Sequence, residues 1–231
     1  MRAGRPARWV LTVGLAVLGA AWLGPLPELS RQSFAAHMAM HMAVVAVAAP
    51  LLAVGLAGSR LDPVRRWVVE ARPPVLPPTA ALAGAALSPI VASVIEFLVV
   101  WTWHAPALHH AARHSTVLLV VEQASFLVVG LLVWLSAFGG GPGQRRRRAP
   151  AGIGGLLLTS MHMTLLGVLL ALAARPLYPH DATAGFGLTA LQDQHLGGVL
   201  MLLFGGVAYI AGALVLLLGL LRDRREVTAD G

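Results

Sequence analysis

The segment AAHMAMHMAVVAVAAPLL, residues 35–52, carries two histidines at the head of a long apolar run. His37 and His41 are four residues apart, and on a helix this spacing puts them one turn apart on the same face. Two imidazoles in this arrangement can bind one metal ion. A histidine inside a membrane can also serve as an interhelical hydrogen-bond partner. The pair nevertheless favours a functional site, because ionisable side chains are costly in hydrocarbon and usually mark function there.

Methionines accompany the histidines. Met38 and Met42 directly follow them and form a second row on the same helix, and a later run reads Met161, His162, Met163. Imidazole and thioether ligands without thiolate suit copper, Cu(I) in particular, and the chain has no cysteine. Each methionine taken singly is more typical of packing or lipid contact. The sequence therefore predicts a copper site in which methionines are possible secondary ligands.

The elements that carry these residues are predicted to be membrane-spanning helices. The 231 residues are 57% hydrophobic and 12% charged, with a mean hydropathy of +0.75, whereas a helical span needs about 20 mostly apolar residues. The sequence predicts an all-α polytopic bundle, a single transmembrane domain over residues 1–231. Its six spans cover about residues 9–24, 31–57, 79–101, 116–137, 151–174 and 194–221. The first run also has the basic start and short apolar stretch of a cleaved signal peptide, which would leave five spans.

Arginine distribution predicts the orientation. All 17 basic residues are arginine. Alternating sides from the N-terminus puts fourteen of them on one side and three, Arg31, Arg113 and Arg175, on the other. By the positive-inside rule both termini are cytoplasmic. The run Arg145–Arg148 is then a cytoplasmic anchor in preference to a nucleic-acid or anionic-lipid site, and no nucleic-acid partner is expected.

The remaining polar residues gather in the outer half of the predicted bundle. None of the nine histidines lies in a predicted cytoplasmic loop, and five fall in outer loops: His104, His109, His110, His114 and His180. His162 lies about 18 Å and His41 about 15 Å from the outer ends of their spans, so the two can meet at similar depth. Glu96, Glu122, Asp193 and His195 occupy the same half. They are candidates for secondary metal binding or proton relay, and Asp193 alternatively caps the last span. This distribution predicts a polar cavity open to the extracytoplasmic side.

Several segments resemble those of one known family. They are HMAMHMAVVAVAAPLLAVG, WHAPAL, EQASFLVVGLLVW, SMHMTLLGVLLALAARPLYP and LQDQHLGGVLMLLFGGVAYIAGAL. In this order, over about residues 31–221, they resemble the CtaG family of cytochrome c oxidase assembly factors, which are bacterial plasma-membrane proteins associated with caa3-type oxidases.

The resemblance implies a membrane assembly factor, not an enzyme, that supplies copper to a heme-copper oxidase on the extracytoplasmic side. Its partners would be oxidase subunits, the bilayer and a periplasmic copper donor. The motif histidines correspond to His37, His41, His104, His114 and His162. His37, His41 and His162 are expected to form the inner ligand set for Cu(I), with no heme. The resemblance also implies Glu-His where this chain has Glu122 and Gln123. If that histidine is a ligand, the site here is altered or uses His114 or His195.

Three other functions remain open at this level. A copper transporter or resistance protein would need polar steps continuing toward the cytoplasm, and spans 2, 3 and 4 become apolar there. A b-type heme electron carrier could use His41 with His162 as axial ligands. A structural adaptor would carry its histidines only as surface groups.

Overall fold

The structure is a computed structural model and describes residues 5–64, 85, 87–178 and 187–229. Within these residues it contains helices and no strands. Residues 79–84 and 86 of the predicted third span, and His180, lie outside the described part. The helices are α1 (Arg5–Leu23), α2 (Leu26–Gln32), α3 (Phe34–Leu56), α4 (Pro89–Trp103), α5 (Pro106–His114), α6 (Thr116–Phe138), α7 (Pro142–Ala171) and α8, which runs from Ala190 to Ala229.

The helices confirm an all-α polytopic membrane protein. Among the described residues α3, α6, α7 and α8 are long and apolar enough to cross a bilayer. Two bent pairs pass the same test jointly, α1 with α2 at 46° and α4 with α5 at 72°. The number of spans is thus four, or six if each bent pair is one span, which is the number predicted.

Several helix boundaries differ from the predicted span boundaries for identifiable reasons. Ser33 has an extended backbone (φ −133°, ψ 132°), so residues 31–32 belong to α2 and α3 begins at Phe34. Residues 87 and 88 are not helical, and α4 begins at Pro89, which suits the first position of a helix because it has no N–H to leave unpaired. At the other side of the bundle α7 already begins at Pro142, and the Gln144 side chain caps it by accepting from the Gly141 N–H at 3.0 Å.

The segment after His104 forms a helix and not the predicted outer loop. Ala105 is extended (ψ 130°) and Pro106 starts α5, which ends at His114. The hydrophobic-run criterion misses α5 because three of its nine residues are histidine and one is arginine. We call the end of the bundle where α5 lies the histidine end, and the end where Arg145–Arg148 lie the arginine end.

Two π-helical turns interrupt long helices, at Ala43–Ala48 in α3 and at Met201–Gly206 in α8. Each has a carbonyl that accepts a side-chain hydrogen bond from another helix. Trp134 Nε1 donates to the Val45 carbonyl at 3.3 Å, and Ser160 Oγ donates to the Gly206 carbonyl at 3.0 Å. Such turns are frequent beside functional sites, and these two begin directly after Met42 and Leu200.

Close approach of α8 to its neighbours depends on a Gly-Gly pair. A Cβ on Gly197 would lie 2.5 Å from Cδ1 of Phe34, and one on Gly198 would lie 2.5 Å from the backbone nitrogen of Ala171. A Cβ on Gly167 of α7 would likewise lie 2.9 Å from the backbone nitrogen of Leu202 in α8. The absent side chains therefore let the first turns of α3, the end of α7 and the start of α8 pack in contact.

Candidate metal centre

His37, His41 and Glu122 form a group of potential metal ligands in the interior of the bundle. One ligand atom from each lies within 4.8 Å of the other two. His37 Nε2 lies 3.3 Å from Oε1 and 3.2 Å from Oε2 of Glu122, and His41 Nε2 lies 3.6 Å from Oε1. All three side chains are at most 2% exposed. The i, i+4 pair predicted from sequence thus converges on a carboxylate of α6.

The start of α3 is fixed by an aspartate from α8. Asp193 Oδ1 accepts from Ser33 Oγ at 2.7 Å and from the Ala35 N–H at 3.1 Å, and Oδ2 accepts from the Phe34 N–H at 2.6 Å. The prediction that Asp193 caps its own helix is wrong, since Thr189 and Gln192 form a capping box there. Asp193 instead satisfies the free N–H groups of α3, which sets the position of His37 one turn later.

Gln123 holds His41 from the side opposite Glu122. The amide nitrogen Nε2 of Gln123 lies 2.7 Å from His41 Nδ1, and among the described residues Gln123 Oε1 has no partner. A half-turn of the amide exchanges its oxygen and nitrogen. The oxygen then accepts from Nδ1–H and leaves Nε2 of His41 with a free electron pair, as a metal ligand needs. The departure from the expected Glu-His pair therefore places an outer hydrogen-bond partner on His41, while His114 and His195 stay outside the group of three.

His104 and Met38 form an adjoining pair of soft ligand atoms. His104 Nδ1 lies 2.7 Å from the Val100 carbonyl, which can only accept, so this nitrogen carries the proton. Nε2 then has its electron pair free, and it lies 3.4 Å from the thioether sulfur of Met38. A thioether has no proton to donate. Two electron-pair donors therefore face each other 3.4 Å apart in a buried place.

The centre itself does not line an open cavity, because its polar side chains pack against each other and against aromatic rings. A cavity of about 10 Å³ remains beside His41 and is lined by Met42, Met163, Met201 and His104 among others. A volume of that size holds about one water-sized atom. Three methionines and two histidines thus line this space together with the apolar Val45, Val100 and Phe126.

His109 is the functional candidate that sequence reasoning undervalued. The sequence predicts an outer loop for His109. In the structure it lies on α5, is 2% exposed, and its ring centroid lies 4.6 Å from that of His37. Among the described residues its Nε2 has no hydrogen-bond partner. Pro106 is a residue type that often begins a helix. A helix starting there is the signal that could have placed His109 on a buried face.

Other predicted site residues lie elsewhere. His162 is buried at 4% exposure against Phe97, with ring centroids 5.4 Å apart, and neither ring nitrogen has a described partner. Met161 points outward at 62% exposure, whereas Met163 is fully buried. His114 is exposed on α5, and His195 Nε2 bonds the Ala173 carbonyl at 2.9 Å.

Glu96 belongs to a second polar cluster. Its Oε1 accepts from the Tyr209 hydroxyl at 2.6 Å, and Thr159 Oγ1 donates to Ser93 Oγ at 2.7 Å. All four side chains are fully buried. The cluster joins α4, α7 and α8 but does not share a ligand group with His37 and His41.

The fold and site define a polytopic helical membrane protein with a buried His-His-Glu centre beside a His-Met pair. The chain matches the family described as cytochrome c oxidase caa3 assembly factor (Caa3_CtaG) over residues 1–223, and it belongs to that family. Comparison with curated proteins gave no match, and comparison with solved structures gave none either.

The donor atoms suit a transition metal. Ligands that are each about 2 Å from one ion lie roughly 3–4 Å from one another. Each histidine lies at such a distance from Glu122, and the three ligand atoms all lie within 4.8 Å. His37 Nδ1, His41 Nε2 and Glu122 Oε2 are buried without a described hydrogen-bond partner. Buried polar atoms are nearly always satisfied, and an ion bound between His41 Nε2 and Glu122 would satisfy these two groups.

Proposed function

We propose that this caa3 oxidase assembly factor binds Cu(I) at its histidine end and transfers it to a subunit of the oxidase. One observation carries the proposal. Two imidazoles and a carboxylate converge within 4.8 Å in a dry interior, where unpartnered ionisable groups are costly unless they bind something.

The neighbouring sulfur atoms favour copper over zinc. Met38 faces the free electron pair of His104 at 3.4 Å, and Met42, Met163 and Met201 line the small cavity beside His41. Thioethers are soft ligands that suit Cu(I), and hard cations such as magnesium and calcium prefer oxygen. The Glu122 carboxylate beside the two imidazoles also balances the charge of a monovalent ion in the interior.

The role is that of a carrier and not of an enzyme. A chaperone must release its ion, and thioether bonds are weaker than thiolate bonds, so a cysteine-free centre fits a cargo that is passed on. Metal binding displaces protons from histidine and carboxylate, and Glu122 is placed to take the proton back when the ion leaves. The partners are then a copper donor and the oxidase subunit that receives the ion.

The location follows from charge. Arg145–Arg148 lie at the arginine end, and positive residues remain on the cytoplasmic side of bacterial membranes. The histidine end then faces the outside of the plasma membrane, where an external copper donor can reach it.

Metal content of the detergent-purified protein tests this function. After Cu(I) loading under reducing conditions, the wild type is expected to retain near-stoichiometric copper by mass spectrometry and to show no heme band in its optical spectrum. The double variant His37→Ala, His41→Ala should lose the copper, while His114→Ala, an exposed histidine on α5, should keep it. A copper content of the wild type no higher than background would refute copper binding by this protein.

A further inference from the structure

The centre is sealed from bulk water, so an incoming ion needs a route. A cavity of about 200 Å³ lies at the histidine end, lined by Pro106, His109, His110, Arg113, Leu177 and Tyr178. We call it the outer cavity. Its innermost wall contains His109, whose ring touches that of His37, a ligand candidate.

His109 stands between the outer cavity and the centre. Its ring is in contact with Phe34, His37 and Tyr178, at centroid distances of 5.2, 4.6 and 4.5 Å. The side chain is 98% buried, since 2% is exposed, and its Nε2 has no partner among the described residues. A buried imidazole nitrogen without a partner, between a cavity and a metal ligand, is suited to bind an ion in passing.

Tyr178 closes the outer cavity next to His109. Burial raises the pKa of its phenol, so the hydroxyl keeps its proton at neutral pH. It donates to the His104 carbonyl at 2.6 Å. This bond ties the connection between α7 and α8 to the end of α4. Tyr178 stacks on Phe34 at a centroid distance of 4.6 Å, and the His109 ring packs against both.

The charge around the outer cavity is positive. Arg113 lines it, and its NH2 donates to the Arg31 carbonyl at 2.5 Å while Arg31 NH1 donates to the Arg113 carbonyl at 3.3 Å. The Nε of Arg113 is buried without a described partner. Arg113 lines the outer cavity, Arg31 is bonded to it from outside the cavity, and Asp193 is the acidic group nearby. The excess of positive charge attracts anions, so copper is expected here as a complex with an anionic carrier.

A second opening reaches the centre from another direction. A groove of about 360 Å³ between α1, α3 and α6 ends at Gln123, the partner of His41. Its walls are mainly apolar and include Trp22, Leu119 and Val120, with Arg31, Thr116 and Gln123 as the polar members. Polar side chains are a smaller share of its lining than of the lining of the outer cavity, which includes His109, His110 and Arg113. The outer cavity is therefore the more favourable route for a charged complex.

We infer that the outer cavity is the entry port for Cu(I) presented by an anionic carrier, and that His109 relays the ion to His37. The inference rests on the proposed function. In the relay a Cu(I) bond to an imidazole nitrogen of His109 forms as a bond to the carrier breaks, and a bond to His37 then replaces the one to His109. Copper stays Cu(I) throughout, and the carrier leaves with its own ligands.

Loading kinetics test the relay. Cu(I) bicinchoninate, an anionic complex, is mixed with detergent-purified protein and its colour loss is followed by stopped flow. His109→Phe keeps an aromatic ring in contact with Phe34 and Tyr178 but removes both nitrogens. It should slow loading about tenfold or more and leave the final copper content unchanged. Because the dissociation constant is the ratio of the two rates, release to excess chelator should slow by the same factor.

Matched variants separate the possible results. His195→Phe alters a histidine at the same end that bonds the Ala173 carbonyl and does not line the outer cavity, and it should load at the wild-type rate. Leu177→Trp fills the outer cavity without replacing a histidine and should slow loading as well. If His109→Phe does not fold, this variant tests the entry port. Increasing salt should slow loading from the anionic complex.

Wild-type loading rates in both His109→Phe and Leu177→Trp would overturn the entry port. Folded His109→Phe that binds no copper would also overturn the relay, because His109 would then be a ligand of the centre. Failure of the wild type itself to bind copper would refute the proposed function instead.

Discussion

His104 shows how a neighbouring backbone group decides the chemistry of one residue. Its Nδ1 is bonded to the Val100 carbonyl at 2.7 Å, which leaves Nε2 as a free donor opposite Met38 Sδ at 3.4 Å. Neither atom can supply a hydrogen bond to the other. A soft cation between them satisfies both, whereas an empty space leaves two repelling electron pairs in the interior.

Met38→Leu is expected to remove sulfur from the copper environment. Leucine has a similar volume, so the packing should change little. X-ray absorption of the Cu(I)-loaded protein should show sulfur scattering in the wild type that is reduced in the variant.

Met161→Leu is the matched control, because Met161 is 62% exposed and lies outside the centre. Its spectrum should equal that of the wild type. Sulfur scattering that persists unchanged in Met38→Leu would exclude Met38 as a ligand.

At the scale of elements, the position of the centre depends on how closely three helix ends approach. Asp193 of α8 fixes the first turn of α3, and the glycine pair of α8 admits Phe34 and the end of α7. A small movement of α8 would therefore displace α3 together with His37.

Gly198→Ala should destabilise the protein. The new Cβ would lie 2.5 Å from the Ala171 nitrogen and 2.8 Å from the Gly167 carbonyl oxygen, both backbone atoms that cannot turn aside. Overpacking of this kind costs about 1–3 kcal/mol. Circular dichroism in detergent should show a lower Tm for the variant than for the wild type.

Gly19→Ala provides the comparison in the same kind of element. No atom lies within 4 Å of the added Cβ in α1, and alanine favours a helix over glycine by about 1 kcal/mol. Its Tm should be unchanged or higher. An equal loss of Tm in both variants would contradict the close-packing explanation.

At the scale of the whole molecule, the two ends of the bundle differ in chemistry. The run Arg145–Arg148 lies at one end, and the histidines of α3 and α5 lie at the other together with His104, which follows α4. A vectorial function requires that these ends face different compartments.

The absence of native cysteine makes the orientation testable by labelling. Ala107→Cys puts a thiol on exposed α5, and Gly143→Cys puts one beside the arginine run, where no atom lies within 4 Å of the new Cβ. On intact spheroplasts a membrane-impermeant maleimide should label the first variant and not the second. After lysis both should react, and the reverse pattern on spheroplasts would place the centre on the cytoplasmic side.

The sequence by itself determined the class of this protein and much of its candidate chemistry. Apolar runs long enough for a bilayer predict helices because every backbone polar group must be paired within the span. The i, i+4 spacing of His37 and His41 predicts a shared face because helical periodicity is local. The ordered motifs identified the family that the match over residues 1–223 confirms.

The tertiary structure decided which distant residues meet. Glu122 and Gln123 lie more than 80 positions from the histidines they contact, and Asp193 bonds Ser33 across 160 positions. The sequence gives no sign that Asp193 caps α3 in preference to its own helix, that Glu96 joins Tyr209, or that His109 is buried against His37. These outcomes depend on helix packing, on the bend at His104 and on the close contact at Gly198, and all three are set by the whole bundle because no local stretch of chain contains the partners.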